Sequence, residues 1–102
     1  MFKMFKTTGL KANAGAKEEI YLVTTTLYVM PPDIHQTLLN LAKKEGLECE
    51  AGPFGSVLFM ATEKGATKLA ASYQKWLNEG KEYFAILIYN EQGCVGILTP
   101  EM

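Results

Sequence analysis

The chain has 102 residues, of which 48% are hydrophobic and 21% are charged, and its formal net charge is -1. This apolar fraction excludes a wholly disordered chain, which would be poor in large apolar residues and rich in charge. A chain of this length accommodates one domain.

The charge is unevenly distributed along the chain. Residues 1–17 carry four lysines and no acidic residue, whereas the rest of the chain has six lysines against eleven acidic residues. The sequence therefore predicts a basic N-terminal arm (residues 1–17), loose or lightly docked, followed by a single domain over residues 18–102. Lysines interrupt the apolar start of the arm, so we expect no secretory signal, and the acidic body disfavours nucleic acid as a partner.

The first half of the domain shows one strand and one helix. Residues Glu19 to Met30 are almost all β-branched, aromatic or apolar after the initial acid, which predicts a long strand. Pro31-Pro32 ends this strand and begins a helix that Gly46 terminates. The predicted buried face of the helix contains Ile34, Leu38, Leu41 and Ala42.

The second half predicts one further helix and four further strands. Thr62 is the expected N-cap of a second helix that ends at Gly80. The predicted strands are Leu47–Ala51, Ser56–Ala61, Tyr83–Tyr89 and Cys94–Leu98. The order β-α-β-β-α-β with an appended fifth strand is typical of an α+β, ferredoxin-like fold, an antiparallel sheet with both helices on one face. We expect the spatial strand order 5-4-1-3-2.

Two helices cover only one face of such a sheet, and alternation should make the other face polar if it meets water. Here the outward positions of the third and fourth strands are largely apolar. A monomer rarely leaves so large an apolar patch exposed. The predicted partner-binding residues are Leu58, Met60, Tyr83, Leu87 and Tyr89. The cover is a second copy of the chain, another protein, or the N-terminal arm.

No combination of residues indicates an active site, a metal site or a cofactor. His35 is the only histidine, with no nucleophile or carboxylate at a recognisable spacing, and is expected on the surface. Glu48 and Glu50 lie on one side of a short strand and are best explained as protection of a sheet edge. Cys49 and Cys94 are too few ligands for zinc and are predicted to be buried free thiols in a cytoplasmic protein. Acylphosphatase chemistry on this topology is excluded because the chain has no arginine.

The order of elements resembles that of the RNA-recognition motif. Ile20-Tyr21-Leu22 is similar to the start of that family's first-strand motif, and the segment from Phe54 to Phe59 is similar to its third-strand motif. The resemblance implies that Tyr21 and Phe54 stack on the bases of single-stranded RNA. Ser56 stands where the family has a further aromatic residue, and the basic residue that opens the motif is missing.

These observations favour a small, non-catalytic protein-interaction module that binds a partner protein or itself through the apolar face of its sheet. By analogy of size alone, accessory and inhibitor proteins of phages and mobile elements are of this kind. The alternatives are single-stranded RNA binding, and a dimeric ferredoxin-like domain that binds a small ligand between its sheet and a partner. No membrane association is expected, because the longest apolar run is far too short to cross a bilayer.

Overall fold

The computed structural model describes residues 18–80 and 82–101. It shows an α+β protein with two helices and one five-stranded sheet. The strands are β1 (Glu19–Thr25), β2 (Glu48–Ala51), β3 (Val57–Ala61), β4 (Ile86–Asn90) and β5 (Gly93–Leu98). The helices are α1 (Pro32–Lys44) and α2 (Glu63–Gly80), and a short 3-10 turn covers Pro53–Gly55.

The strands lie in the order β2-β3-β1-β4-β5, and every neighbouring pair is antiparallel. Read from the opposite edge, this is the expected order 5-4-1-3-2. β3, β1 and β4 lie inside the sheet, and their sequences are mainly apolar or β-branched. β2, with Glu48 and Glu50, lies at an edge, where charge discourages pairing with another chain.

The helix boundaries follow local signals in the sequence. α1 begins at Pro32, has Asp33 in its first turn, and is followed by Gly46 at φ +80°, a conformation that glycine adopts without strain. α2 begins after Thr62, whose hydroxyl oxygen accepts a hydrogen bond of 3.1 Å from the Gly65 amide. This bond satisfies one of the unpaired amides of the first turn, as expected of an N-cap.

β1 is shorter than predicted, because it ends at Thr25 instead of continuing to Met30. The Thr25 hydroxyl accepts a hydrogen bond from the Leu27 amide, and the Thr26 hydroxyl accepts one from the Ala85 amide. Threonine side chains thus bind backbone amides that a continuing strand would have used in the sheet. Strand propensity continues past this point, but these hydrogen bonds accompany a bend that ends the strand.

β4 also begins later than predicted, so Tyr83 does not belong to the sheet. Phe84 is buried against Trp76 of α2, with the ring centroids 6.0 Å apart. This contact directs the chain towards the helices before it enters the sheet at Ile86. Tyr83 is consequently 92% exposed in the bend that precedes β4.

The core lies between the two helices and one face of the sheet. Tyr73 of α2 is fully buried at its centre, and its hydroxyl donates a hydrogen bond of 3.0 Å to the Leu38 carbonyl of α1. Tyr21 of β1 and Phe59 of β3 stack beneath the helices with their centroids 5.1 Å apart. The other fully buried large side chains are Val23, Leu38, Val57, Leu69, Leu77, Ile86, Ile88 and Leu98.

The hydrogen bond between the helices gives a first prediction. Tyr73→Phe removes the buried donor and leaves the packing of the ring intact, so the free energy of unfolding should fall by about 0.5–1.5 kcal/mol. Tyr28→Phe is the matched control, because Tyr28 is fully exposed and should change stability by less than about 0.5 kcal/mol. Urea unfolding of both variants measures the difference. Equal free energies of unfolding for Tyr73→Phe and Tyr28→Phe would show that the hydrogen bond contributes nothing to stability.

A second prediction concerns alkaline stability. Burial, followed by the negative charges of Glu19 and Glu63, raises the pKa of Tyr21 from 10.0 to about 12. Above about pH 10 the unfolded chain releases this proton while the folded chain retains it, so stability falls as the pH rises towards 12. Tyr21→Phe should make this decline shallower. Urea midpoints at about pH 8 and about pH 11 measure it, with the value at the lower pH as the baseline. An equally steep decline in both proteins would contradict the prediction.

Candidate functional site

The side of the sheet that faces away from the helices is predominantly apolar across its inner strands. The register places residues from different strands side by side in rows that cross the sheet. One row is Glu50, Leu58, Leu22, Tyr89 and Cys94. A second row is Glu48, Met60 and Ile20, and a third is Thr24, Leu87 and Ile97. We call this surface the open face.

Burial differs sharply between the two sides of the strands. In β1 and β3, alternate residues that face the helices are buried, whereas those of the open face are half-buried or exposed. Ile20 is 59% exposed and Ile97, at the opposite side of the sheet, is 52% exposed. The open face is therefore a hydrophobic surface with no cover from the described part of the chain.

Most of the predicted partner-binding residues come together on this surface. Leu58 and Met60 of β3 and Leu87 and Tyr89 of β4 all lie on the open face, on either side of β1. Tyr83 does not, because it precedes β4. Sequence reasoning missed Ile20, Leu22 and Ile97. Both alternating sets of β1 are apolar, so the sequence left open which set faces the helices.

The open face has only one kind of charge. The strands contain glutamates but no lysine, and Glu48 and Glu50 of β2 are exposed at its edge. Over residues 18–80 and 82–101, every lysine lies in α1 or α2. The cationic side chains of the described domain thus belong to the helical layer, and the sheet layer is apolar and acidic.

A groove of about 370 Å³ crosses the open face over β1, β3 and β2. Ile20, Leu58 and Met60 form its apolar floor, and Glu48 and Glu50 line it on the β2 side. Its volume lies in the lower part of the range of about 300–1,000 Å³ found for ligand pockets. The groove can accept apolar side chains and attract a positive charge at one margin.

The two residues implied by the RNA-recognition resemblance do not share a surface. Tyr21 is 1% exposed, because it faces the helices and stacks on Phe59. Phe54 is 98% exposed in the turn between β2 and β3. Tyr21 therefore offers no ring surface to a base, and the alternative of RNA binding lacks one of its two aromatic contacts.

The single histidine has a structural role, and the described residues hold no grouped set of metal ligands. His35 is half-buried rather than on the surface, and its Nε2 donates a hydrogen bond of 3.0 Å to the Ser56 carbonyl, which fixes the β2–β3 turn to α1. Among residues 18–80 and 82–101, no three histidine, cysteine or carboxylate side chains are grouped as metal ligands.

The two cysteines are free but differ from the prediction of buried thiols. Cys49 is half-buried, with its Sγ 3.7 Å from the Leu39 carbonyl, and burial raises the pKa of its thiol. Cys94 is exposed, because it lies on the edge strand β5 opposite Tyr89. The Cys94 side chain lies on the open face, where no second layer of the described chain covers it.

No protein-family model matches this sequence, and no curated protein or solved structure is significantly similar to it. In the described ranges, neither helix has the length and apolar character needed to cross a bilayer.

Several large hydrophobic side chains are exposed at one end of the sheet, in three connections that lie at that end. The connections are the β1–α1 loop with Tyr28, the β2–β3 turn with Phe54, and the segment before β4 with Tyr83. Phe54 has φ +57° and ψ +34°, the left-handed conformation that residues with a side chain rarely adopt.

The conformation of Phe54 gives a third prediction. At ordinary positions alanine is more stable than glycine by about 0.4–1 kcal/mol, because glycine has more unfolded-state entropy. At a left-handed position the order reverses, since alanine keeps a steric cost of about 1–2 kcal/mol. We expect Phe54→Gly to be more stable than Phe54→Ala by about 0.5–1 kcal/mol in urea unfolding. Greater stability of the alanine variant would contradict the left-handed geometry.

Proposed function

We propose that this protein is a non-catalytic binding module that uses its open face to hold an apolar, lysine-bearing segment of a partner protein. The observation that carries the proposal is the chemistry of the open face, which combines exposed apolar side chains with acidic charge and lacks lysine. We further propose that the domain is ferredoxin-like with an appended strand, which the strand order and the two helices packed on one side of the sheet support.

The apolar part of the surface supplies the driving force. Burying a leucine-sized side chain that was fully exposed contributes about 1.5–3 kcal/mol, and half-buried side chains contribute correspondingly less. Association and side-chain ordering cost several kcal/mol. A segment that covers Ile20, Leu58 and Met60 together can offset this cost, whereas contact with one of them cannot. A groove that presents all three side by side meets this requirement.

The acidic margin supplies selectivity. Exposed glutamates contribute little net affinity to a lysine, but they steer a cationic segment towards the surface and repel an acidic one. A second copy of the domain would bring further carboxylates to an interface whose only charges are already acidic. Charge complementarity thus favours a basic segment over a homodimer through this face.

The location we propose is the cytoplasm, supported by the free thiols of Cys49 and Cys94, which reducing conditions preserve. Single-stranded RNA binding is not favoured by any feature of the open face, which has acidic rather than basic charge.

A peptide titration tests the proposal and gives a fourth prediction. The probes are a synthetic peptide Phe-Lys-Leu-Phe-Lys-Leu and its counterpart with glutamate in place of both lysines. Binding is followed by the amide chemical shifts of the full chain. The lysine peptide should shift the amide signals of Ile20, Leu58 and Met60, and the glutamate peptide should not. Equal shifts from both peptides would contradict the proposal.

Two matched variants locate the binding surface. Ile20→Glu and Ile97→Glu introduce the same charge at strand positions of similar exposure on the same face, but only Ile20 lines the groove. We expect Ile20→Glu to lower the affinity for the lysine peptide by about tenfold or more, and Ile97→Glu to lower it by less than about threefold. Equal losses in the two variants would place the binding outside the groove.

Light scattering over a range of concentrations distinguishes self-association. A monomer mass is expected throughout. A dimer mass that Leu87→Lys abolishes would instead support a homodimer through the open face and overturn the choice of a separate basic segment, because Leu87 lies on that face outside the groove.

A further inference from the structure

The chain itself contains a segment of the chemistry that the groove requires. The first six residues, Met-Phe-Lys-Met-Phe-Lys, combine four large apolar side chains with Lys3 and Lys6. The N-terminal arm has four lysines and no acidic residue, whereas the body has six lysines against eleven acidic residues. Opposite charges are therefore encoded in the arm and in the domain to which it is attached.

The point of attachment lies next to the groove. The arm ends at residue 17, and β1 begins at Glu19, which pairs with Ala61, while Ile20 pairs with Met60. Ile20 and Met60 are both part of the apolar floor. The arm is thus joined to the domain at the end of the groove formed by these two residues.

The length of the arm allows its first residues to reach the whole groove. Residues 7–17 join the apolar start to the domain and include Gly9 and Gly15. An extended chain spans about 3.3 Å per residue, so this connection reaches up to about 36 Å. The far side of the groove, on β2, is two strand spacings from β1, or about 10 Å. The connection is long enough for the chain to reverse and return across the open face.

We propose that residues 1–6 of the same chain occupy the groove, with their apolar side chains on Ile20, Leu58 and Met60 and with Lys3 and Lys6 near Glu48 and Glu50. The proposal rests on the proposed function and names the segment that occupies the site when no partner is present. A tethered segment acts at an effective concentration of the order of millimolar. An external partner must displace this segment. The partner's apparent affinity is therefore its affinity for a free groove multiplied by the fraction of domains whose groove is free.

Charge reversal in the full chain tests the proposal and is the fifth prediction. Lys3→Glu/Lys6→Glu should shift the amides of Ile20, Leu58 and Met60 in the free protein. It should also increase the affinity for the peptide Phe-Lys-Leu-Phe-Lys-Leu by about threefold to tenfold, because the competing segment is weakened. Lys3→Arg/Lys6→Arg keeps both charges and should behave like the wild type.

The matched control is Lys64→Glu/Lys68→Glu, which makes the same change in net charge at two exposed positions of α2 in the helical layer. It should change neither the groove amides nor the peptide affinity. An equal effect of this control would show that only net charge matters and would overturn the proposal.

The remaining outcomes separate the two proposals. If the wild type binds the lysine peptide and Lys3→Glu/Lys6→Glu changes nothing, the arm proposal fails and the proposed function stands. If neither protein binds the peptide, the proposed function fails. If the effect of the charge reversal depends on protein concentration and the wild type has a dimer mass, the arm binds a neighbouring chain, which overturns the intramolecular arrangement.

Discussion

The rest of the structure depends on one constraint, which is that the sheet is apolar on both faces while its two helices cover the same face. α1 and α2 pack on one face of the five strands and bury Tyr21, Val23, Phe59, Ile86 and Ile88 there. The opposite face contains almost as many large apolar side chains and has no layer above it in the described chain. Apolar surface is costly to leave in water, and the proposal that this second face binds a partner segment rests on that cost.

The separation of charge between the layers defines which occupant suits the face. The lysines of the described domain lie in α1 and α2, while Glu48 and Glu50 mark the edge of the open face. A second separation is concealed by the formal net charge of -1, because the basic arm nearly cancels the acidic body. In the proposed function, apolar contact provides the affinity of the open face, and the acidic margin selects the segments that approach it.

The comparison of α1 with β1 shows how much of the fold could be predicted. The bounds of α1 follow from Pro32, Asp33 and Gly46, which act within a turn of where they stand, so the sequence was sufficient. The end of β1 depends on hydrogen bonds of Thr25 and Thr26, one of which reaches Ala85, a residue distant in the sequence. Strand propensity continues past Thr25 and contains no information about such a distant partner.

The sequence by itself determined the order and type of the elements, the acidic edge of β2, and the presence of two apolar sheet faces. Only the tertiary structure decided that Tyr21 faces the helices and Leu22 the open face, that Ile20 adjoins Met60, and that Tyr83 lies outside the sheet. The physical reason is that alternation distinguishes the two sides of a strand only when one of them is polar. In β1 both sides are apolar, so pairing with β3 and β4 and packing of Tyr21 on Phe59 had to make the choice.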